Sequence, residues 1–363
     1  MTPISTDDPS REGLQSPDRR ALILRALKAA PSGVSGEALA HDLGVSRAAI
    51  GKHVVALRDL GYSIDAAPGA GYRLLAAPDA VLPLEVAPLL RSRLFSDVRG
   101  GLVTDSTNDD VRALAAAGAP EGLVVLAPEQ RAGRGRLGRD WVSAPGGVYA
   151  SVLLRPRLSQ AELSPLALVV GLGIARGLES LGARVRLKWP NDILTEGGDK
   201  LVGILLEGMT EGVRMAWIVA GVGVNVRRPM VEAVADAVVG DRAVDADPVA
   251  TNSAAPGSVT APAPAYLDDI TDAPVPMAVV AAAVLDGLAD AYARFTTEGF
   301  APDLKAEYGS RLCLTGQEVR VSDPYGKLIA EGTCEGVDEW GRLVVHRLGD
   351  EVHVPAGDVT LRH

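Results

Sequence analysis

The chain has 363 residues, 47% hydrophobic and 23% charged, an ordinary globular composition whose length predicts two or three domains. Its 36 basic and 46 acidic residues leave a net charge of −10, which argues against nonspecific coating by nucleic acid but leaves room for a local basic patch. Two cysteines, Cys313 and Cys334, exclude a disulfide framework and a four-cysteine zinc site. The N-terminus, MTPISTDDPSREGL, has no apolar core of the signal-peptide kind. The longest apolar stretch, Leu166 to Ala175, is too short to span a bilayer. A soluble, reduced, cytoplasmic protein with no membrane partner is therefore expected.

Residues 1–18 are rich in Ser, Asp and Pro and read as a disordered tail. From Arg19 to Leu75 eight basic residues face four acidic ones. That segment carries +4 and leaves −14 on the rest, an asymmetry expected of a separate small domain with its own partner. Its sequence predicts two helices. Ser35 can cap the first, which runs to Leu43 and ends where Gly44 can take positive φ. Ser46 can cap the second, which runs to about Leu60. Ile50, Val54 and Leu57 share one face, while Arg47, Lys52 and Arg58 lie opposite. Gly51 weakens that helix by about 1 kcal/mol. Two short strands then flank Pro-Gly-Ala-Gly and form a wing. A winged helix-turn-helix over residues 19–76 follows, and the small, basic first turn Arg47-Ala48-Ala49 suits a major groove. Ser46, Arg47, Lys52 and His53 are the candidate DNA contacts. A helical domain that docks proteins or is vestigial remains the alternative.

Residues 76–100 read as a connector. Beyond it, Gly122–Ala127, Val148–Leu154, Val202–Leu206 and Trp217–Val226 read as strands, and Ser106–Ala117 and Ala161–Leu181 as helices. Residues 229–275, rich in Ala, Asp and Pro, read in part as a variable, poorly ordered insertion. A helix follows at about Ala278–Thr297. Val-rich, Gly-punctuated segments then predict a small β-barrel at the C-terminus.

The chemistry-bearing clusters lie in the central region. Gly133-Arg-Gly-Arg-Leu-Gly-Arg139 alternates backbone that can approach an anion with fixed donor forks for phosphate. It is neither a Walker A loop nor a dinucleotide fingerprint, and by itself it also suits an RNA-binding Arg/Gly stretch. Lys188-Trp-Pro-Asn-Asp192 sets a cation and an acid on a turn where Pro190 must interrupt a strand; alone it could be a surface ion pair. Lys200 opens a strand after a Gly-Gly-Asp turn, a place where a lysine is most often a solvated charge. Ser106-Thr107-Asn108 could be no more than a helix cap. There is no His between His53 and His346 and no Cys before Cys313, so the central region alone cannot assemble a Ser-His-Asp or Cys-His nucleophile.

Taken in order, DSTN, EQRAGRGRLGRDWVSAPGGVYAS, KWPNDIL, KLVGILLE and GVGVNV resemble the biotin protein ligases. SRAAIGKHVVALRDLGY followed by PGAGYRL is similar to the DNA-binding domain of the bifunctional ligase/repressors. The resemblance covers about residues 20–363. It implies an α+β multidomain chain: a winged helix, an α/β ligase domain related to class II aminoacyl-tRNA synthetases over 77–308, and an SH3-like barrel over 309–363. It also implies biotin, ATP and Mg2+. Biotin would attack the α-phosphate to give biotinyl-5′-AMP, and a lysine of a biotin carboxyl carrier domain would then take the biotinyl group.

By that resemblance Ser106, Thr107, Asn108 and Gln130 line the biotin head, and Gly203 belongs to the same pocket. Gly133, Arg134 and Arg136 hold the carboxylate, the phosphate and the closing loop. Lys200 bridges carboxylate and α-phosphate, with Lys188 and Asp192 near the phosphates and the metal or attacking lysine. Asn191, Asn225 and Trp141 sit on the adenylate side. Lys200, Arg134, Asp192 and Lys188 would be the catalytic set, with no dedicated metal-ligand cage. Leu137 departs from the pattern, where a basic residue is common. Operator DNA and a homodimer in the adenylate-bound state complete the expected partners. A ligase with a silent winged helix, and a non-enzymatic ligand sensor, are the competing readings.

Overall fold

The computed structural model describes residues 19–67, 71–211, 214–229 and 262–361. The tail expected at 1–18, the tip of the wing at 68–70 and residues 230–261 of the expected insertion lie outside them. The chain divides into two compact units, Met1–Asp79 and Ala80–His363.

The first unit holds α1 (Arg19–Ala29), α2 (Gly36–Asp42), α3 (Arg47–Asp59) and an antiparallel hairpin of β1 (Ser63–Ala67) and β2 (Gly71–Ala76). Both expected caps form. Ser35 Oγ accepts from the amides of Glu37 and Ala38 at 3.2 and 3.1 Å, and Ser46 Oγ accepts from Ala49 at 3.1 Å. Ile50, Val54 and Leu57 of α3 are buried as expected, together with Ile23, Leu24 and Leu27 of α1. The sequence reading omitted α1. Arg58, expected on the free basic face, instead donates from Nε and Nη2 to the carbonyl of Ile64 at 3.0 and 2.7 Å, so it pins β1 to α3. Gly71 is required where it stands: its φ is +75°, and a Cβ there would lie 2.2 Å from the Val34 carbonyl oxygen.

The second unit is built on a seven-stranded sheet. Its strands are β3 (Asp97–Gly100), β4 (Leu123–Ala127), β5 (Gly147–Leu154), β6 (Val185–Lys188), β7 (Asp192–Thr195), β8 (Lys200–Glu211) and β9 (Arg214–Asn225), in the order β3-β4-β5-β9-β8-β7-β6. Only the β3–β4 pairing is parallel. Side chains of β4 alternate between two cores. Val124 and Leu126 join the main one, while Leu123 and Val125 join a smaller one with Val111, Ala115 and Trp217. Burial on both faces explains why this strand is a continuous apolar run.

Among the described residues five α-helices accompany the sheet: α4 (Pro83–Val86), α5 (Thr107–Ala116), α6 (Leu166–Glu179), α7 (Met277–Glu298) and α8 (Pro302–Arg311). Helix α5 packs on β4, β5 and β9, and α6 packs along α7. A second, antiparallel sheet follows, of β10 (Glu318–Ser322), β11 (Leu328–Val337), β12 (Leu343–Arg347), β13 (Asp350–Val354) and β14 (Asp358–Leu361), in the order β13-β12-β11-β10-β14. Its inner residues Val319, Val321, Leu343 and Val359 belong to the main core.

Three expectations change. The helix expected from Ala161 begins only at Leu166, after turns that end at Pro165. The stretch read as a connector contains α4 and β3. The described end of the expected insertion is packed rather than poorly ordered: Lys200 N donates to Ala263 O at 2.6 Å, Ala265 N to Lys200 O at 2.9 Å, and Leu267 is fully buried.

Candidate active site

The DSTN cluster enters α5 as a polar plug beneath the sheet. Ser106 occupies the cap position but its side chain makes no capping bond, so capping does not explain it. Ser106, Thr107 and Asn108 are all buried. The Thr107 amide and hydroxyl both approach Gln130 Oε1, at 2.9 and 3.0 Å, and Gln130 Nε2 donates to Ser143 Oγ at 2.8 Å. Ser151, fully buried in β5, donates to Asn108 Oδ1 at 2.6 Å, and Asn108 Nδ2 donates to Glu207 Oε2 at 2.7 Å. Buried polar groups that bond one another in this way are fixed in orientation.

The Arg/Gly loop follows Gln130. Gly133 O accepts from the Trp141 amide at 2.9 Å, which closes the loop on itself. Arg134 forks onto Asp109 of α5 with bonds of 2.6 and 2.8 Å. Arg136 donates to Asn191 Oδ1 at 2.9 Å. Burial pulls its guanidinium below the ordinary arginine value, and the nearby carboxylates of Asp358 and Asp192 act in the opposite direction. Arg139 pairs with Asp358 of β14. Leu137, with φ 60° and its side chain half exposed, is the outward tip.

The indole of Trp141 lies on two glycines. A Cβ at Gly203 of β8 would come 2.6 Å from its Cζ3, and one at Gly223 of β9 would come 2.5 Å from its Nε1. Lys200 Nζ stands 5.2 Å from the ring centroid, close enough for a cation–π contact. The indole Nε1–H is buried and has no acceptor among the described residues.

Lys188 ends β6 and Asp192 begins β7, so KWPND is the turn between two strands that the sequence suggested. The Trp189–Pro190 peptide is cis. Asn191 is tied on both sides: its Nδ2 donates to Ile204 O at 2.7 Å and its carbonyl accepts from Ile204 N at 3.1 Å. Register then sets Asp192 opposite Gly203, and Lys200 Nζ reaches Asp192 Oδ1 at 2.8 Å. Lys200 is thus no solvated strand-end charge.

These groups face one cleft of about 1500 Å³, lined by Ser106, Thr107, Asn108, Gln130, Arg134, Arg136, Trp141, Lys188, Asn191, Asp192, Lys200 and Gly203. Gln317, just before β10, and residues of the second sheet from Arg320 to Asp358, Thr360 and Leu361 complete the wall. Asn225 lines an adjoining hollow with Trp141 and Tyr266, where its Nδ2 lies 3.3 Å from Lys200 O. Gly133 stands behind the cleft wall, its carbonyl accepting from the Trp141 amide and its Cα packed so closely that a Cβ would lie 2.4 Å from Ser143 Oγ and 3.2 Å from Gln130 Nε2. Ser46, Arg47 and Lys52 are exposed on the first unit's α3, and His53 is half-buried there. Among the described residues no group of three or more His, Cys, Asp or Glu could hold a metal ion, and no helix is long and apolar enough to cross a membrane.

Three family models match in the order of the structural modules. They are an HTH domain over residues 19–73, the biotin/lipoate A/B protein ligase family over 100–225, and the biotin protein ligase C-terminal domain over 314–362. The biotin–[acetyl-CoA-carboxylase] ligase of Paracoccus denitrificans is 34% identical over 266 residues, which are 70% of this chain and 97% of that protein. The chain belongs to the biotin protein ligase family. This ligase is also 36% identical over 222 residues to the bifunctional ligase/repressor BirA of Bacillus subtilis, covering 59% of this chain and 67% of that one. Among solved structures it is similar to the biotin protein ligase from Aquifex aeolicus in complex with biotin and ATP. The TM-score is 0.56 at 25% identity, over 74% of this chain and 99% of that chain.

Several residues that build the ligase site escaped the sequence reading. Ser151 carried a signal, being the one serine in the otherwise apolar and aromatic run Gly147–Leu154. Asp109 stands next to a chosen motif, in a helix's first turn, where an acid calls for no further explanation. Glu207 and Asp358 gave no local sign, because their partners Asn108 and Arg139 lie far away in the chain.

Proposed function

We propose that this ligase activates biotin with magnesium-bound ATP to biotinyl-5′-AMP and transfers the biotinyl group to a lysine of a biotin carboxyl carrier domain. In the first half, a biotin carboxylate oxygen forms the bond to the α-phosphorus and pyrophosphate leaves. In the second, the carrier's lysine amine forms an amide with the biotinyl carbonyl, AMP leaves, and the amine gives up a proton, which Asp192 would accept. Neither half needs an enzyme nucleophile. Both need the reactants held in place and their negative charge neutralised.

The observation that carries this reading is the Lys200–Asp192 pair, 2.8 Å apart, flanked by Arg136 in one cleft. The polar plug of Ser106, Thr107, Asn108 and Gln130 suits the biotin head at the closed end. Lys200 then meets the carboxylate, and Arg134, Arg136 and Lys188 meet phosphate. The free Trp141 Nε1–H, with Asn225 beside it, falls on the adenosine side. Because the described residues offer no metal cage, magnesium enters as part of its nucleotide substrate. Biotin-dependent exchange of labelled pyrophosphate into ATP, followed by label transfer to an isolated carrier domain, tests the proposal; absence of exchange would end it.

The first unit adds a second role. Charge +4 and an exposed Ser46-Arg47 turn on α3 suit operator DNA, and the adenylate would act as corepressor by favouring a homodimer that presents two α3 helices. Titrating DNA from upstream of biotin-synthesis genes, with and without adenylate, tests this. Equal affinities would rule out control by the adenylate, and no specific binding at all would leave a ligase with a silent winged helix.

A further inference from the structure

Arg134 is gripped from outside the cleft. Its two terminal nitrogens fork onto Asp109, and Glu207 Oε2 stands 3.8 Å from Nη2. Arg134 lines the cleft, whereas neither Asp109 nor Glu207 does. The carboxylates therefore lie behind the arginine, where they neither fill the site nor meet an incoming phosphate directly. Arg112, one turn along α5 from Asp109, lies 3.1 Å from Asp109 Oδ1 and 3.6 Å from Glu207 Oε1. Asn108 bonds the other oxygen of Glu207. Two cations and two carboxylates thus close a ring that joins the loop, α5 and β8, with no net charge left over to repel a nucleotide.

A bidentate arginine–carboxylate pair fixes direction as well as distance. The guanidinium keeps its Nε–H and the outer hydrogens of both terminal nitrogens for another anion. We infer that Asp109 is the positioning residue of the phosphate loop: it holds Arg134 in the cleft wall before nucleotide binds, so that the cost of ordering the loop is not charged to binding. This rests on the reading of Arg134 as a phosphate ligand. It also differs from the role a first-turn acid has by default, which is to stabilise its own helix.

The two roles separate experimentally. In pyrophosphate exchange with the full chain, Asp109→Asn should raise the KM for ATP about three- to fivefold, in keeping with a partly exposed ion pair, while kcat stays within about twofold. Asp109→Glu, which keeps the fork, should restore KM. Trypsin should cut at Arg134, Arg136 and Arg139 faster in Asp109→Asn without nucleotide, and at the wild-type rate in Asp109→Glu. Arg134→Gln should raise KM by itself, and adding Asp109→Asn to it should cause no further loss. If Arg134→Gln leaves KM unchanged, the assignment of Arg134 to phosphate fails. If Arg134→Gln raises KM while Asp109→Asn changes neither KM nor cleavage, or if Asp109→Glu behaves like Asp109→Asn, the positioning role alone is overturned. A lowered melting temperature in Asp109→Asn with KM and cleavage unaltered also overturns it.

Discussion

Trp189 Nε1 donates to the carbonyl oxygen of Gly341, 3.0 Å away and 152 residues further along the chain. The indole is 2% exposed and sits in the KWPND turn, between the strands that carry Lys188 and Asp192. Gly341 belongs to the hairpin between β11 and β12 and abuts Pro165 and Leu168 at the start of α6. One buried bond therefore ties the turn that carries Lys188 and Asp192 into the cleft to the second sheet that walls it.

Trp189→Phe keeps most of the apolar volume and leaves a buried carbonyl without its donor. The expected cost is about 1–3 kcal/mol, seen as a lower urea midpoint with an unchanged slope. Stability equal to wild type would show that water or a shift of the hairpin satisfies Gly341 at no cost.

Lys200→Ala removes the cation paired with Asp192 Oδ1 and the charge above Trp141. Adenylate formation should fall by about 10²–10³, as for loss of one preorganised charge-stabilising donor, with the far-UV circular dichroism unchanged. Exchange at the wild-type rate would remove Lys200 from the catalytic set.

The pH dependence of the loop follows from Asp109. The fork from Arg134 is the chief cause that holds its carboxyl below the ordinary carboxylate range; partial burial opposes it, and the charges of Arg134 and Arg112 add to it. A carboxylate lowered in this way stabilises the folded state above its unfolded pKa, and that contribution is lost as pH falls through the lowered value. A carboxyl-carbon NMR titration should show Asp109 titrating low in the wild type and returning toward the ordinary range in Arg134→Gln. An unchanged titration in that variant would contradict the ion pair.

On the first unit, Arg47→Ala and Lys52→Ala should each weaken DNA binding and reduce the dependence of log affinity on log salt by about one. Operator DNA and adenylate should strengthen each other's binding by one common factor. Isothermal titration with and without the other ligand measures that factor, and a factor of one would show that the two sites are not coupled.

What the sequence disclosed depended on how local its causes are. Strands β4, β5 and β9 were legible because both faces of the sheet are buried there and the runs are apolar, and β8 was legible only in its apolar first half, Val202–Leu206, since its far end is polar and exposed. Helices α2 and α3 were legible from their Ser35 and Ser46 caps. Helix α8 was not: only Leu304 and Tyr308 are buried along it, too few to show a period. Strand β3 is four residues long with none fully buried, and Arg19–Ala29 drew notice for its charge although Ile23, Leu24 and Leu27 already spelled a helical face. At the site, Lys200, Asp192 and the arginines stood out within short motifs. Their orientation did not, because Asp109 meets Arg134 across 25 residues, and Arg139 meets Asp358 across 219.

The cleft's wall runs from Ser106 to Leu361, and this has a consequence in time. During synthesis the central sheet can form as soon as β9 has emerged, and domains generally fold as units from the N-terminal side. Asp358, Thr360 and Leu361, however, leave the ribosome 133 residues or more after Asn225 closes β9. Until β14 pairs with β10, Arg139 lacks its carboxylate and the cleft stands open on one side. A nascent chain can therefore carry a folded central sheet with an unfinished cleft, and the enclosure of that cleft arrives only with β14.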